Sequence, residues 1–310
     1  MSDAGLAKEL VGRGLDVTVP NVARIYDYFL GGKDHFAADR EAAEELRSLL
    51  PDAEMACREN RRFLRRAVRY LASESGIGQF IDIGSGLPTA DNTHEIAQAI
   101  RPGARVAYVD YDPVVVAHGQ ALLGSSPGAA VIEADLRRPG VIIGSRSLAD
   151  LVDFSAPVAI LLAAVLHFIP DNDDPYGVVD VLKSVMVPGS YLVISHATQD
   201  SVSREESLGG MSIYDKASAP VVPRSHGDVL KFFDRMDLVD PGLVNISEWR
   251  SSRPMRGPIY GVARKPCVRI VPAGAPLPVL GRCASCVPAW LALENGGPGR
   301  TSHCRSGRHR

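Results

Sequence analysis

In the stretch PNVARIYDYFLGG, residues 20–32, apolar side chains stand at Val22, Ile25, Tyr26, Phe29 and Leu30. This i, i+3, i+4, i+7, i+8 spacing is the stripe of an amphipathic helix. Pro20 and Asn21 suit its start, and Gly31-Gly32 its stop. Tyr26 falls on the apolar stripe and reads as core, whereas Arg24, Asp27 and Tyr28 fall on the polar side. A second helix is expected over 39–50, with Ala42, Ala43, Leu46, Leu49 and Leu50 inward and Pro51 ending it. A third covers 53–73, with Phe63, Leu64, Ala67, Val68 and Leu71 inward. Its other side carries Arg58, Arg61, Arg62, Arg65, Arg66 and Arg69 at helical spacing. A nucleic-acid surface is the sharper reading of that stripe. The plainer one is a solvated face partly neutralised by Glu54 and Glu59, with one or two arginines turned towards a cleft.

From residue 79 the pattern changes to short apolar runs alternating with helical stretches. Strands are predicted over 80–83, 105–110, 130–133, 158–163, 190–195, 243–249 and 260–264. Helices are predicted over 92–100, 113–123, 178–185 and 227–233. Strands that alternate with helices, several of them apolar throughout, indicate a parallel sheet covered on both faces. The last two strands have no clear helix between them and read as an antiparallel edge hairpin. Residues 266–310 show no periodicity. Six arginines stand against one glutamate there, and the segment reads as a disordered basic tail. Cys283-x-x-Cys286 with His303 and Cys304 gives only a weak zinc signal, so no metal is expected.

Composition narrows the picture. With 45% hydrophobic residues, the 310-residue chain can bury a substantial core, as one large domain or a domain with an appendage. A net charge of −2 gives no global field to draw a nucleic acid or a membrane surface. No apolar run reaches the ~18 residues of a membrane span. The opening MSDAGLAKELVGRG lacks a signal-peptide core. A cytoplasmic location is therefore expected. Of five cysteines only Cys57 precedes residue 265, so disulfides do not hold this fold. Oligomeric state is not legible.

The chemistry concentrates where strands end. FIDIGSGLPT, residues 80–89, is a buried strand running into a glycine-rich turn. Such a turn can hold a dinucleotide, a phosphate or S-adenosylmethionine (SAM). A dinucleotide fingerprint needs a third glycine or alanine, but the register Gly84, Gly86, Thr89 puts a bulky residue there. Asp82 precedes the glycines inside the strand end, and D-x-G-x-G resembles motif I of the class I SAM-dependent methyltransferases. The second strand ends at Asp110, followed by Tyr111 and Asp112. A carboxylate there can accept both ribose hydroxyls. The third is followed by Asp135 and Leu136, and the fourth runs on to Leu166-His167-Phe168.

The resemblance extends beyond the class. Residues 20–40, NRRFLRRAVRYLA (60–72), FIDIGSGLPT, YVDYDPVVVAH (109–118) and VLHFIPD (165–171) are similar to an actinobacterial S-adenosyl methyltransferase family, first catalogued as a domain of unknown function. PGLVNISEWR (241–250) and YGVARK (260–265) resemble its closing strands. This implies an α/β, Rossmann-like class I methyltransferase fold: a mostly parallel seven-stranded sheet, an antiparallel edge hairpin and an N-terminal helical cap. The expected division is a cap over 1–78, a SAM-binding domain over 79–265 and the tail. SAM is the implied cofactor, with Asp82 orienting its ammonium group. Gly84, Ser85 and Gly86 would meet its amino-acid end, Asp110, with Asp112 as second candidate, its ribose, and Asp135 its adenine, while Tyr111 and Leu136 are further candidate cofactor contacts. Tyr28, Gly31 and Lys33 are candidate contacts from the cap. His167 is the candidate catalytic residue, as general base or as a wall of the pocket. No N/D-P-P-Y/F/W sequence follows the fourth strand, which favours a small-molecule acceptor methylated on oxygen or nitrogen over a nucleobase or a protein amide. A non-catalytic SAM-binding regulator is the alternative, and a nicotinamide oxidoreductase the weaker third.

Overall fold

The computed structural model describes residues 16–89, 91–123, 126–200, 202–245, 248–250 and 259–266. The tail and its cysteines lie outside them.

Three helices come first: α1 (Val22–Leu30), α2 (Ala37–Leu49) and α3 (Ala53–Ser73). Asn21 starts α1, its side-chain oxygen accepting from the amides of Ala23 and Arg24, and Gly31 stops it in the left-handed region at φ 81°. Arg24 and Asp27, expected on an open polar face, are both buried. Arg24 pairs with the buried Asp39 at the start of α2, Nε to Oδ2 at 2.7 Å. Asp27 instead folds the turn that follows α1, accepting from the Asp34 amide at 3.0 Å.

The sheet contains β1 (Gln79–Ile83), β2 (Arg105–Asp110), β3 (Ala129–Glu133), β4 (Ala159–Ala163), β5 (Tyr191–His196), β6 (Asp237–Leu238), β7 (Val244–Asn245) and β8 (Ile259–Arg264). The order is β3-β2-β1-β4-β5-β8-β6, and β7 also pairs with β8. The first five strands are parallel, while β8 runs antiparallel to β5 and β6 and β7 antiparallel to β8. β6 and β7 share one edge, so the eight strands fill seven positions. The strand predicted over 243–249 is thus shorter, and β6 was not anticipated. Pro241 and Gly242 turn the chain between the two pieces, and proline has no amide to give the ladder.

Helices α4 (Thr93–Ile100), α5 (Pro113–Leu123), α6 (Pro139–Ile143), α7 (Arg146–Ala149), α8 (Pro175–Ser184), α9 (Arg204–Tyr214) and α10 (His226–Lys231) connect the strands. Successive strand residues point to opposite faces, and both faces are buried. Ile81, Val109, Ile160 and Ile194 pack with residues of α6–α8 and α10. Phe80, Val106, Leu161 and Val193 pack with α4 and with Phe63, Leu64, Val68 and Leu71 of α3. A third cluster joins Ile25 and Phe29 of α1, Ala42, Ala43 and Leu46 of α2, and Ile213 of α9. Among the described residues no helix is long and apolar enough to cross a membrane.

Strand order reverses between β1 and β4, and ligands of open α/β sheets sit beyond the strand ends at such a switch point. Helices α1, α2 and α9 pack together above it. Helix α9 was not anticipated, because Gly209-Gly210 reads as a breaker. The available signal was the Ser203-x-x-Glu206 capping box, which forms. Glycine is needed at 209 because a Cβ there would stand 2.4 Å from Leu49 Cδ2.

Candidate cofactor and active site

The turn after β1 carries two glycines in the left-handed region, Gly84 at φ 69° and Gly86 at φ 66°. A Cβ on Gly84 would strike Val165 Cγ2 at 2.4 Å, whereas one on Gly86 would meet nothing within 4 Å. The first glycine therefore lets β1 and the end of β4 approach, and the second leaves backbone open to the space above. That space is a cavity of about 440 Å³ bounded by the ends of β1, β2, β4 and β5, by α1–α3 and by α9.

Asp110 at the end of β2 borders it, buried. Its Oδ2 accepts from the Gly86 amide at 2.9 Å and its Oδ1 from the Asp112 amide at 3.0 Å. Burial pushes its pKa up to about 6 against those hydrogen bonds. Asp82 is buried beneath the turn, accepting from the Thr93 hydroxyl at 2.6 Å, and burial raises its pKa as well. Tyr111 and Leu136 also line the cavity, as does Asp135. Arg137 grips Asp135 through Nε and Nη2, the shortest contact being 2.6 Å. Burial works to raise the Asp135 pKa, but Arg137 outweighs it and holds the carboxylate below its ordinary value.

Asp112 is differently occupied. One oxygen caps α5, accepting from the Val114 amide at 2.7 Å, and the other accepts from the Asn21 side chain. Asp112 thus lines the cavity as a strut between cap and sheet.

A second polar chain runs along the cavity wall. The Ala164 amide donates to Ser195 Oγ at 2.8 Å, and Ser195 Oγ donates to Asn60 Oδ1 at 2.6 Å. Asn60 Nδ2 then donates to the Tyr26 hydroxyl at 2.9 Å, which donates to Cys57 O at 3.0 Å. Tyr26, expected in the core, thus faces the cavity. The cap contacts expected from Tyr28, Gly31 and Lys33 are absent from the lining. Tyr28 points the other way, its hydroxyl donating to Glu44 at 2.5 Å, Gly31 caps α1, and Lys33 is exposed. Tyr26 stands two positions before Tyr28 on α1, on a different face of the helix. Asn21, Asn60 and Arg61 also line the cavity and were not singled out. Only the direction in which the arginine-bearing face of α3 might turn hinted at the last.

His167 lines the cavity at the end of β4. Its Nδ1 accepts from the Ala197 amide at 3.2 Å. In a neutral imidazole the other nitrogen then carries the proton. Burial, with His196 and Arg224 beside it, pushes its pKa well below the ordinary value. His167 is therefore a neutral hydrogen-bond donor in the cavity wall. His196 is fully used too: Nδ1 pairs with Ala197 O at 2.7 Å, and Nε2 with Arg224 Nη1 at 3.0 Å. Among the described residues no group of three or more His, Cys, Asp or Glu could hold a metal ion.

A family model described as S-adenosyl methyltransferase matches residues 8–266. Among solved structures, a protein of Thermobifida fusca YX named as a candidate methyltransferase is 38% identical, with a TM-score of 0.77, over 82% of this chain and 98% of that one. A DUF574 family protein from Streptomyces avermitilis MA-4680 is 39% identical, also with a TM-score of 0.77, over 80% of this chain and 98% of that one. No functionally curated protein matches. Family match, sheet order and glycine turn agree: the chain belongs to the S-adenosyl methyltransferase family, as a SAM-dependent methyltransferase of class I fold.

Proposed function

We propose that this methyltransferase acts on oxygen or nitrogen of a small, largely apolar acceptor held in the part of the cavity beyond His167. The observation that carries this reading is that apolar side chains of the cap and of the segments after β4 share one cavity with the glycine turn. Phe29, Leu50, Phe168, Met211, Tyr214 and Val221 are among the residues that line it. A non-catalytic SAM-binding regulator would need no such chamber. Concave, mostly apolar pockets suit small ligands.

The residues at the strand ends fit the cofactor. Each Asp110 oxygen has one backbone donor, which leaves a lone pair on each for the two ribose hydroxyls. Gly86 presents open backbone to the amino-acid end. Tyr111 and Leu136 offer apolar faces to the adenine. Asp135, engaged by Arg137, is the weaker contact. When bound, SAM supplies an electrophilic methyl on a sulfonium, displaced in line by the acceptor.

The protein's part is then to position the acceptor and exclude water. Neither lining imidazole has a nitrogen free to take a proton. Burial pushes Cys57 up to about 12 and raises Tyr26 and Tyr214 as well, so these stay protonated at neutral pH. An acceptor atom that is already nucleophilic fits this surround. The test is a structure with S-adenosylhomocysteine bound. The sulfur should face an open chamber bordered by His167 and Tyr214; a chamber closed by Phe29, Met211 and Tyr214 would favour the regulator.

A further inference from the structure

Arg61, on α3, is incompletely used where it stands. Its Nη2 donates to Asp91 O at 3.2 Å, but its Nε is buried without a partner. An unmet buried donor on a cationic group is destabilising, and native proteins hold few of them. Opposite in charge stands Asp82, close enough for Arg61 to oppose the burial that raises its pKa. The two are nevertheless not ion-paired, and the bond that Asp82 makes is to Thr93. Arg61, Asp82, Ser85 and Gly86 line the same cavity, and the same four border a smaller recess beside it. A cation and an anion thus flank a stretch of open backbone, which is the complement of a zwitterionic α-amino acid.

We propose that Arg61 binds the α-carboxylate of the cofactor's methionine moiety, opposite the ammonium site at Asp82. The inference rests on SAM as cofactor. A guanidinium suits the task, because its fork matches a carboxylate in plane and the pair is charge-assisted. Asn60, the neighbouring residue on α3, is held by Ser195 and Tyr26, so this part of the helix is fixed over the strand ends.

The test compares S-adenosylhomocysteine with methylthioadenosine, which keeps the adenosine and sulfur but lacks the amino-acid head. Both are titrated calorimetrically into the full-length wild type, Arg61→Gln and Arg61→Lys. The expected result is that Arg61→Gln weakens S-adenosylhomocysteine by roughly tenfold or more and leaves methylthioadenosine unchanged, with Arg61→Lys recovering part of the loss. Equal weakening of both ligands, or of neither, would overturn the assignment. A wild type that binds both equally well would also overturn it. A wild type that binds neither would instead remove the cofactor reading, and the inference with it.

Discussion

Alanine at Asp39 lowers the unfolding free energy by about 3–5 kcal/mol, the cost of stranding one member of a buried ion pair. Asp39 is 0% and Arg24 3% exposed. The carboxylate accepts from Arg24 Nε at 2.7 Å, from the Phe36 amide at 2.7 Å and from the Asn21 amide at 2.8 Å. Its removal leaves a buried guanidinium without its counter-ion and two amides, one of them buried, unmet. Denaturant titration measures the loss. Arg24→Met with Asp39→Asn should cost less than Asp39→Ala alone, because no charge then remains stranded. A loss under about 1 kcal/mol for Asp39→Ala would place the pair with hydrated surface pairs. The effect reaches the site through Asn21, whose side chain donates to Asp112. Loosening that strut should also weaken cofactor binding.

Replacing Asp110 by alanine is expected to weaken SAM by roughly tenfold or more, since it deletes two hydrogen bonds to a charged acceptor. Affinity should also fall as pH drops through about 6, where burial has moved this carboxyl from the ordinary 3.8. The ionised form is the one that accepts from the ribose hydroxyls. In the free protein the sign is opposite. The raised folded pKa makes Asp110 favour folding most below about pH 4, and that contribution is lost as pH rises through about 6. Cofactor affinity and the Asp110 share of stability therefore run in opposite directions over this window. Calorimetry with S-adenosylhomocysteine across it checks the first. Asp110→Asn should flatten the profile, and an unaltered profile or unchanged affinity would remove Asp110 from the site.

Much of the site was legible because strand-end chemistry is local. A buried run ending in D-x-G-x-G fixes Asp82, Gly84 and Gly86 at one edge, and the apolar run of β2 ends at Asp110. Roles set by distant partners were not legible. Asp112 looks like its neighbour Asp110 in sequence, but Asn21, from the far N-terminal helix, has claimed it. For His167 the sequence left base and pocket wall both open, because the Ala197 amide that occupies its Nδ1 comes from a different strand end. The rotation of α1 was misjudged because Tyr26 is apolar by ring and polar by hydroxyl, so the stripe alone could not tell core from cavity. Arg24 was placed with the solvent because its partner Asp39 lies on another helix. Helix α9 escaped because two glycines that pack against Leu49 and Leu50 resemble a break.

The central claim is that the cavity above the glycine turn is a SAM site. Calorimetric titration of the full-length protein with SAM and with S-adenosylhomocysteine tests it most directly. Saturable binding of both, one ligand per chain and weakened by Asp110→Ala, is the expected result. No heat from either ligand at millimolar concentration would contradict it.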